Sequence, residues 1–141
     1  MLKVLVPVDG SEAALRAVSH LAKRASWYRE PLEIHLLNVQ YPLHGDVRMF
    51  LDDEQVQGFH DEEGLKALEA ARGVLDAAAL RYLYHIGVGD PAAVIAEYAR
   101  EKGCDQIVMG SQGRSALAGL LMGSVATKVI HLSDTPVLLV R

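Results

Sequence analysis

A single cysteine, Cys104, stands among the 141 residues of this chain. One thiol cannot close an internal disulfide, and without a spaced partner it makes a poor metal ligand. It reads as a small, partly buried side chain between a helix and a strand. No apolar run approaches the ~20 residues of a membrane-spanning helix, and the opening Met1-Leu2-Lys3-Val4-Leu5-Val6-Pro7 is too short for a signal peptide. Neither sign of charge dominates: 14 bases against 18 acids leave a net charge of −4, which gives no field to draw nucleic acid. No Gly-x4-Gly-Lys-Ser/Thr occurs, so the chain lacks a P-loop and its lysine. What remains is a chain expected in the cytoplasm, with neither a membrane nor a nucleic acid as partner.

Half of the residues are apolar and 23% are charged, which excludes disorder and collagen-like order. A chain of this length buries enough surface to fold as one domain without a disulfide or a metal. Val4-Leu5-Val6-Pro7-Val8 is a short apolar run closed by Asp9-Gly10-Ser11, which predicts a buried strand and a turn. Ala14, Val18, Leu21 and Ala25 follow at helical spacing, with Arg16, Lys23 and Arg24 on other faces. Further strands are expected over 32–39, 82–86, 106–109 and 137–140. Leu65, Leu68, Ala71, Leu75 and Ala79 mark a second helix. Asp90-Pro91 supplies an N-cap and a first-turn proline for a third, through Val94, Ile95, Tyr98 and Ala99, and Gly103 stops it. A last helix is expected over 125–132. Of 18 alanines, 15 lie in 13–25, 67–79 and 92–99, as helices prefer. Strands apolar on both faces, alternating with helices, predict an α/β fold: a doubly wound parallel sheet of five strands with helices on both faces.

Charge is unevenly placed. Residues 41–63 hold seven acids and one base, Arg48, and the rest of the chain holds 11 acids against 13 bases. The segment shows no clear period and reads as a long loop with a helix beginning near its end. Met49-Phe50-Leu51 inside it is either a flap over a ligand or an apolar anchor to the sheet. His44 and His60 are near enough to the acids to meet a metal, but the six histidines show no ligand spacing, and a solvated loop explains them as well.

Ligands of such sheets sit outside the carboxyl ends of the strands, which directs attention to the loops after Val8, Val39, Ile86 and Met109. The last is the most informative: Gly110-Ser111-Gln112-Gly113, nine further residues, then Gly123-Ser124. Glycines permit positive φ, so that N–H groups converge on an anion, and they remove the Cβ that would block its approach. Gly123-Ser124 precedes a helix whose N–H groups and dipole favour an anion, and Ser124 can cap it. Equally, Gly110 and Gly113 can be plain turns and Ser124 a plain cap. Asp9 has two readings as well. It can hold Mg²⁺ or a ribose hydroxyl, or it can cap the first helix with Glu12 in capping-box spacing, unless Ser11 is the cap.

Other constellations fail on their own terms. Gly87-Val88-Gly89-Asp90-Pro91-Ala92 has the letters of a dinucleotide fingerprint, but Asp90-Pro91 explains it as a helix start. Met109 stands where a Gly-x-Ser-x-Gly nucleophile turn needs glycine, and His131 precedes Asp134, the wrong order for that fold. A flavodoxin-like FMN carrier needs aromatics in its loops, whereas Trp27 and most tyrosines fall in expected helices or strands.

Val6-Pro7-Val8-Asp9-Gly10-Ser11, Ile107-Val108-Met109-Gly110-Ser111, the Gly-x2-Gly-x9-Gly-Ser spacing and the terminal Thr135-Pro136-Val137-Leu138-Leu139-Val140 resemble the universal stress protein family. The resemblance runs in order from residue 2 to 141 and points to one such domain over 1–141, of the ATP-binding branch. It implies strand order 3-2-1-4-5, an adenine nucleotide α-hydrolase-like arrangement, and a homodimer. By position, Pro7, Val8 and Asp9 resemble the first-strand loop that lines the nucleotide, and Val39 the residue that packs on adenine. Met109, Gly110, Gly113, Gly123, Ser124 and Val125 are similar to the strand-end, phosphate and ribose contacts, with Arg114 a candidate cation. Gln112 stands where relatives often carry a base, and Ala116 where they often carry glycine. The expected function is a small ATP-binding stress-response regulator, with Mg²⁺ beside Asp9. The alternative is a slow ATPase or phosphotransfer enzyme on the same site. The expected dimer seam is the terminal strand, 136–141, an apolar edge guarded only by Arg141.

Overall fold

Val4, Leu5 and Val6 have no solvent exposure at all, and the architecture follows from burying such a strand on both faces. They belong to β1 (Leu2–Pro7), the middle strand of an all-parallel sheet with β2 (Leu32–Gln40), β3 (Tyr82–Val88), β4 (Gln106–Gly110) and β5 (Val137–Val140), in the order β3-β2-β1-β4-β5. The computed structural model describes residues 1–112 and 122–141. Alternate residues of β1 feed two cores. Val4 and Val6 pack with Ala14, Ala17, Val18 and Leu21 of α1 (Glu12–Lys23) and with Leu68, Ala71 and Leu75 of α3 (Asp53–Ala77). Leu5 points the other way, to Ala92, Ile95 and Ala99 of α4 (Pro91–Glu101) and Ala126 and Val129 of α5 (Ser124–Leu132). The doubly wound reading and its strand order hold.

The helix starts obey local chemistry. The Ser11 hydroxyl accepts the Ala14 N–H at 3.1 Å, so Ser11, not Asp9, caps α1. Asp90 caps α4 with Pro91 in its first turn, and Gly103, at φ +64°, lies just past its end. Cys104 is buried between α4 and β4, as expected, and burial pushes its thiol pKa up.

The acidic segment departs from expectation. A short helix, α2 (Gly45–Arg48), lies near its start, and α3 begins at Asp53, twelve residues before Leu65. Asp52 and Gln55 form a reciprocal capping box there. The first two turns of α3 face solvent, so they carry no apolar period to read. The buried stripe is His60, Gly64, Leu68, Ala71 and Leu75, with Leu65 largely exposed and Ala79 past the helix at φ 55°. Met49 and Phe50 do not anchor to the sheet: they are 80% and 84% exposed. Being an edge strand, β3 also leaves Leu83 and Tyr84 exposed, so apolar sequence there does not mean burial on both faces.

Two glycines of α3 test this packing. A Cβ on Gly64 would lie 2.6–2.7 Å from three side-chain atoms of Ile86, whereas one on Gly73 would meet nothing within 4 Å. Gly64→Ala is therefore expected to lower stability by about 1–3 kcal/mol. Gly73→Ala should raise it by about 0.5–1 kcal/mol through helix propensity alone. Urea unfolding midpoints shifting in opposite directions are the check.

Candidate functional site

Because the strands are parallel and in register, β1, β2 and β4 end together, and a cleft of about 480 Å³ opens above them. The volume lies within the ordinary range for small-molecule sites. The described residues that the sequence assigned to the nucleotide line it: Pro7, Val8 and Asp9 after β1, Val39 on β2, Met109 and Gly110 on β4, and Gly123, Ser124 and Val125 at the start of α5; Ile86, at the end of β3, does not. Gly113 and Arg114 lie outside the described residues, as does Ala116.

The β1 end is held by its neighbours. The Val8 N–H donates to the Leu37 carbonyl at 2.8 Å, and the Asn38 amide donates to the Val8 carbonyl at 2.8 Å. The Gln40 amide in turn donates to Asn38 Oδ1 at 2.7 Å, so two buried or half-buried amides fix the β1–β2 mouth of the cleft. Asp9 accepts the Ser11 N–H at 3.0 Å, which turns the chain into α1 and leaves capping to Ser11. Gly10 makes that turn at φ +85°, and a Cβ there would lie 3.5 Å from the Ala67 backbone of α3. It is the positive φ, more than the space, that calls for glycine here.

The glycines work differently from the nest expected of them. Gly110 is an extended strand residue, and Gly123 has φ −77° and ψ 165°, so neither uses the left-handed region. At Gly110 the reason for glycine is crowding. A Cβ would sit 2.8 Å from the Ala13 backbone carbon and oxygen, so α1 could not approach β4. Gly123 is the N-cap of α5, and Ser124 is its first residue instead of its cap. The Gly123 N–H donates to the Ser111 carbonyl at 2.6 Å, and its carbonyl accepts from the Thr127 N–H and hydroxyl. Among the described residues no side chain caps α5, and its first-turn N–H groups favour an anion.

Sequence reasoning missed the wall that α3 contributes. Glu63, Lys66 and Ala67 line the cleft, with Tyr41, Asn38, Gln40, Pro91 and Ile95 from elsewhere. Lys66 is the one basic side chain among the described lining residues, and it lies 3.4 Å from Glu63 and 3.8 Å from Glu62. Nothing local marks it, since it sits on a polar face of a helix; it reaches the site because the buried stripe Leu68, Ala71 and Leu75 packs α3 against β1 and α1. The metal reading of His44 and His60 fails. Among the described residues no His, Cys, Asp or Glu cluster suits a metal, and His44 Nδ1 instead accepts the Asp46 N–H at 3.3 Å. Nor, among the described residues, is any helix long and apolar enough to cross a membrane.

With this geometry in hand, known proteins place the chain. YxiE, a universal stress protein of Bacillus subtilis, is 36% identical over 152 residues, covering 99% of this chain and 98% of its own length. MJ0577, a universal stress protein of Methanocaldococcus jannaschii, is 30% identical over 152 residues, covering 99% and 94%. A solved structure of MJ0577 superposes with a TM-score of 0.81 at 32% identity, covering 98% of this chain and 94% of that one. A universal stress protein solved in complex with cAMP superposes at 0.72 with 28% identity, covering 99% and 97%. The family model of the universal stress protein family matches residues 1–141, and the chain belongs to that family.

Proposed function

We propose that this chain is a single-domain cytoplasmic regulator of the stress response that binds ATP, or another adenine nucleotide, in the cleft above β1, β2 and β4. The observation that carries the reading is the meeting, in one cleft, of an apolar slot and the start of α5, which no described side chain caps. Val8, Val39, Ile95 and Met109 offer apolar walls to a base, and the Ser124 hydroxyl and first-turn N–H groups of α5 offer donors to phosphate. The Gly-x2-Gly-x9-Gly-Ser spacing supports the ATP-binding branch, with Gly110, Gly123, Ser124 and Val125 toward the phosphates and ribose; Gly113 and Arg114, the other members of that pattern, lie outside the described residues. The relative solved with cAMP supports an adenine ligand.

Asp9 takes the ribose hydroxyl or a Mg²⁺ brought by the phosphates. A single carboxylate suits Mg²⁺, which draws its other ligands from phosphate and water. Lys66 supplies the charge that Gln112 does not. Its carboxylate partners are exposed neighbours on the same helix, pairs worth about 0.5 kcal/mol or less, so a polyphosphate displaces them at little cost. Without a lysine in the phosphate motif, Lys66 and the candidate Arg114 make a weak clamp for fast phosphoryl transfer, which favours a binder over a phosphotransfer enzyme.

Gly123→Val tests the phosphate assignment. Its φ and ψ are open to any residue, so the branched side chain fills the anion site without backbone strain. Calorimetry should show ATP affinity lost and the thermal midpoint nearly kept; unchanged affinity refutes the assignment. Lys66→Gln should weaken ATP roughly two- to fivefold and leave adenosine unaffected, as a partly screened ion pair requires. Asp9→Asn should remove the Mg²⁺ dependence of ATP binding in the same titrations.

We also propose a homodimer through 136–141. At the sheet edge, β5 pairs with β4 on one side, and a second copy about a two-fold axis would satisfy its other side. Leu138→Lys or Leu139→Lys should then yield a soluble monomer. Sedimentation showing a monomeric wild type at high micromolar concentration refutes the dimer.

A further inference from the structure

Both phenylalanines of this chain are exposed, and both lie in the acidic segment. Phe50 is 84% exposed and Phe59 42%, with Met49 at 80%, Tyr41 at 68% and Val47 at 50%. Phenylalanine and methionine are ordinarily among the more buried residues, and three large apolar side chains within four consecutive residues, Val47, Met49 and Phe50, all in water, mark a surface meant for contact. The acids around them are Asp46, Asp52, Asp53, Glu54, Asp61 and Glu62, and the one base, Arg48, is already paired with Asp53.

This surface is built, not loose. The N–H groups of Met49, Phe50 and Leu51 donate to the Gly45, Val47 and Arg48 carbonyls at 3.1, 3.1 and 3.3 Å, so the turn after α2 has a defined shape. The Asp52–Gln55 capping box fastens its far side to α3. A preformed turn presents Met49 and Phe50 with little ordering left to lose on binding.

Charge selects the occupant. Nucleic acid and anionic lipid are repelled by a surface of this sign, and a second copy docking through the same patch would bring acid against acid. A basic segment with apolar side chains is complementary on both counts, apolar side chains meeting Met49 and Phe50 while its lysines or arginines meet the surrounding carboxylates. We propose that α2, the turn 49–52 and the first turns of α3 form a docking site for a basic, amphipathic segment of another protein. Tyr41 at one end of the segment and Glu63 at the other also line the cleft, so a bound partner sits at its mouth. The site does not depend on what the cleft holds.

The test uses the full chain and a synthetic amphipathic peptide of roughly 18 residues made of lysine and leucine, with a glutamate–leucine peptide as control. The lysine peptide should bind, weaken as salt rises, and lose about tenfold or more in affinity to a Met49→Ser/Phe50→Ser double variant with an unaltered melting curve. Asp53→Asn/Glu54→Gln should reduce both affinity and its salt dependence. Absence of binding, or binding that the double serine variant keeps, overturns the proposal. So does wild-type binding to phosphatidylserine vesicles or to DNA. If the double serine variant instead turns a dimer into a monomer, the patch belongs to a second copy and the proposal falls.

Discussion

Helix α1 can lie against the end of β4 only because residue 110 has no side chain: a Cβ there would come within 2.8 Å of the Ala13 backbone. The rest of the site depends on that approach. It draws the first-strand loop, with Asp9 and Ser11, toward the end of β4, at the point where strand order reverses and α/β sheets open a crevice. The buried stripe Leu68, Ala71 and Leu75 packs α3 into the same core as α1, so that Glu63, Lys66 and Ala67 reach the cleft. Glycine serves twice beside the cleft, at residue 110 by avoiding a clash and at residue 10 by its positive φ.

Within that frame the electrostatics divide by origin. The α5 side offers backbone donors that carry no formal charge and need no side chain to cap them. The α3 side offers Lys66 among carboxylates, and the β1 side offers Asp9. A nucleotide, with an apolar base and an anionic tail, matches this division better than a purely polar or purely apolar ligand. The weak surface pairing of Lys66 leaves its charge available, since exposed ion pairs on one helix contribute little to stability.

The acidic segment shows the same economy on the outside of the molecule. Its carboxylates are solvated, its helix starts are capped by its own side chains, and its large apolar groups are turned outward. Such a segment adds little to either core. Residues that leave both cores untouched are the ones whose presence points to contact with another molecule.

Secondary structure near the cores was legible in the residues themselves. The inner strands bury both faces and so read as unbroken apolar runs, Val4 to Val6, whereas α1 and α4 bury one face, and burial writes a period into them: Ala14 to Leu21, Ile95 to Ala99. Ser11, Asp90 and Gly103 marked boundaries because backbone hydrogen bonding at a helix end is a local matter. The strand-end residues Val8, Val39, Met109 and Gly110 could be found for the same reason, since a parallel sheet sends its ligands to its carboxyl edge. The first turns of α3 were not legible, because a solvent-facing helix has no apolar period. Lys66 was not legible either, because its place at the cleft comes from the packing of α3 against β1 and α1, elements far apart in the chain. Why residue 110 is glycine was likewise decided in three dimensions. Residue type records what a position needs of its neighbours; which neighbours those are, α1 at Gly110 or α3 beside the first-strand loop, is settled only when helices pack on the sheet.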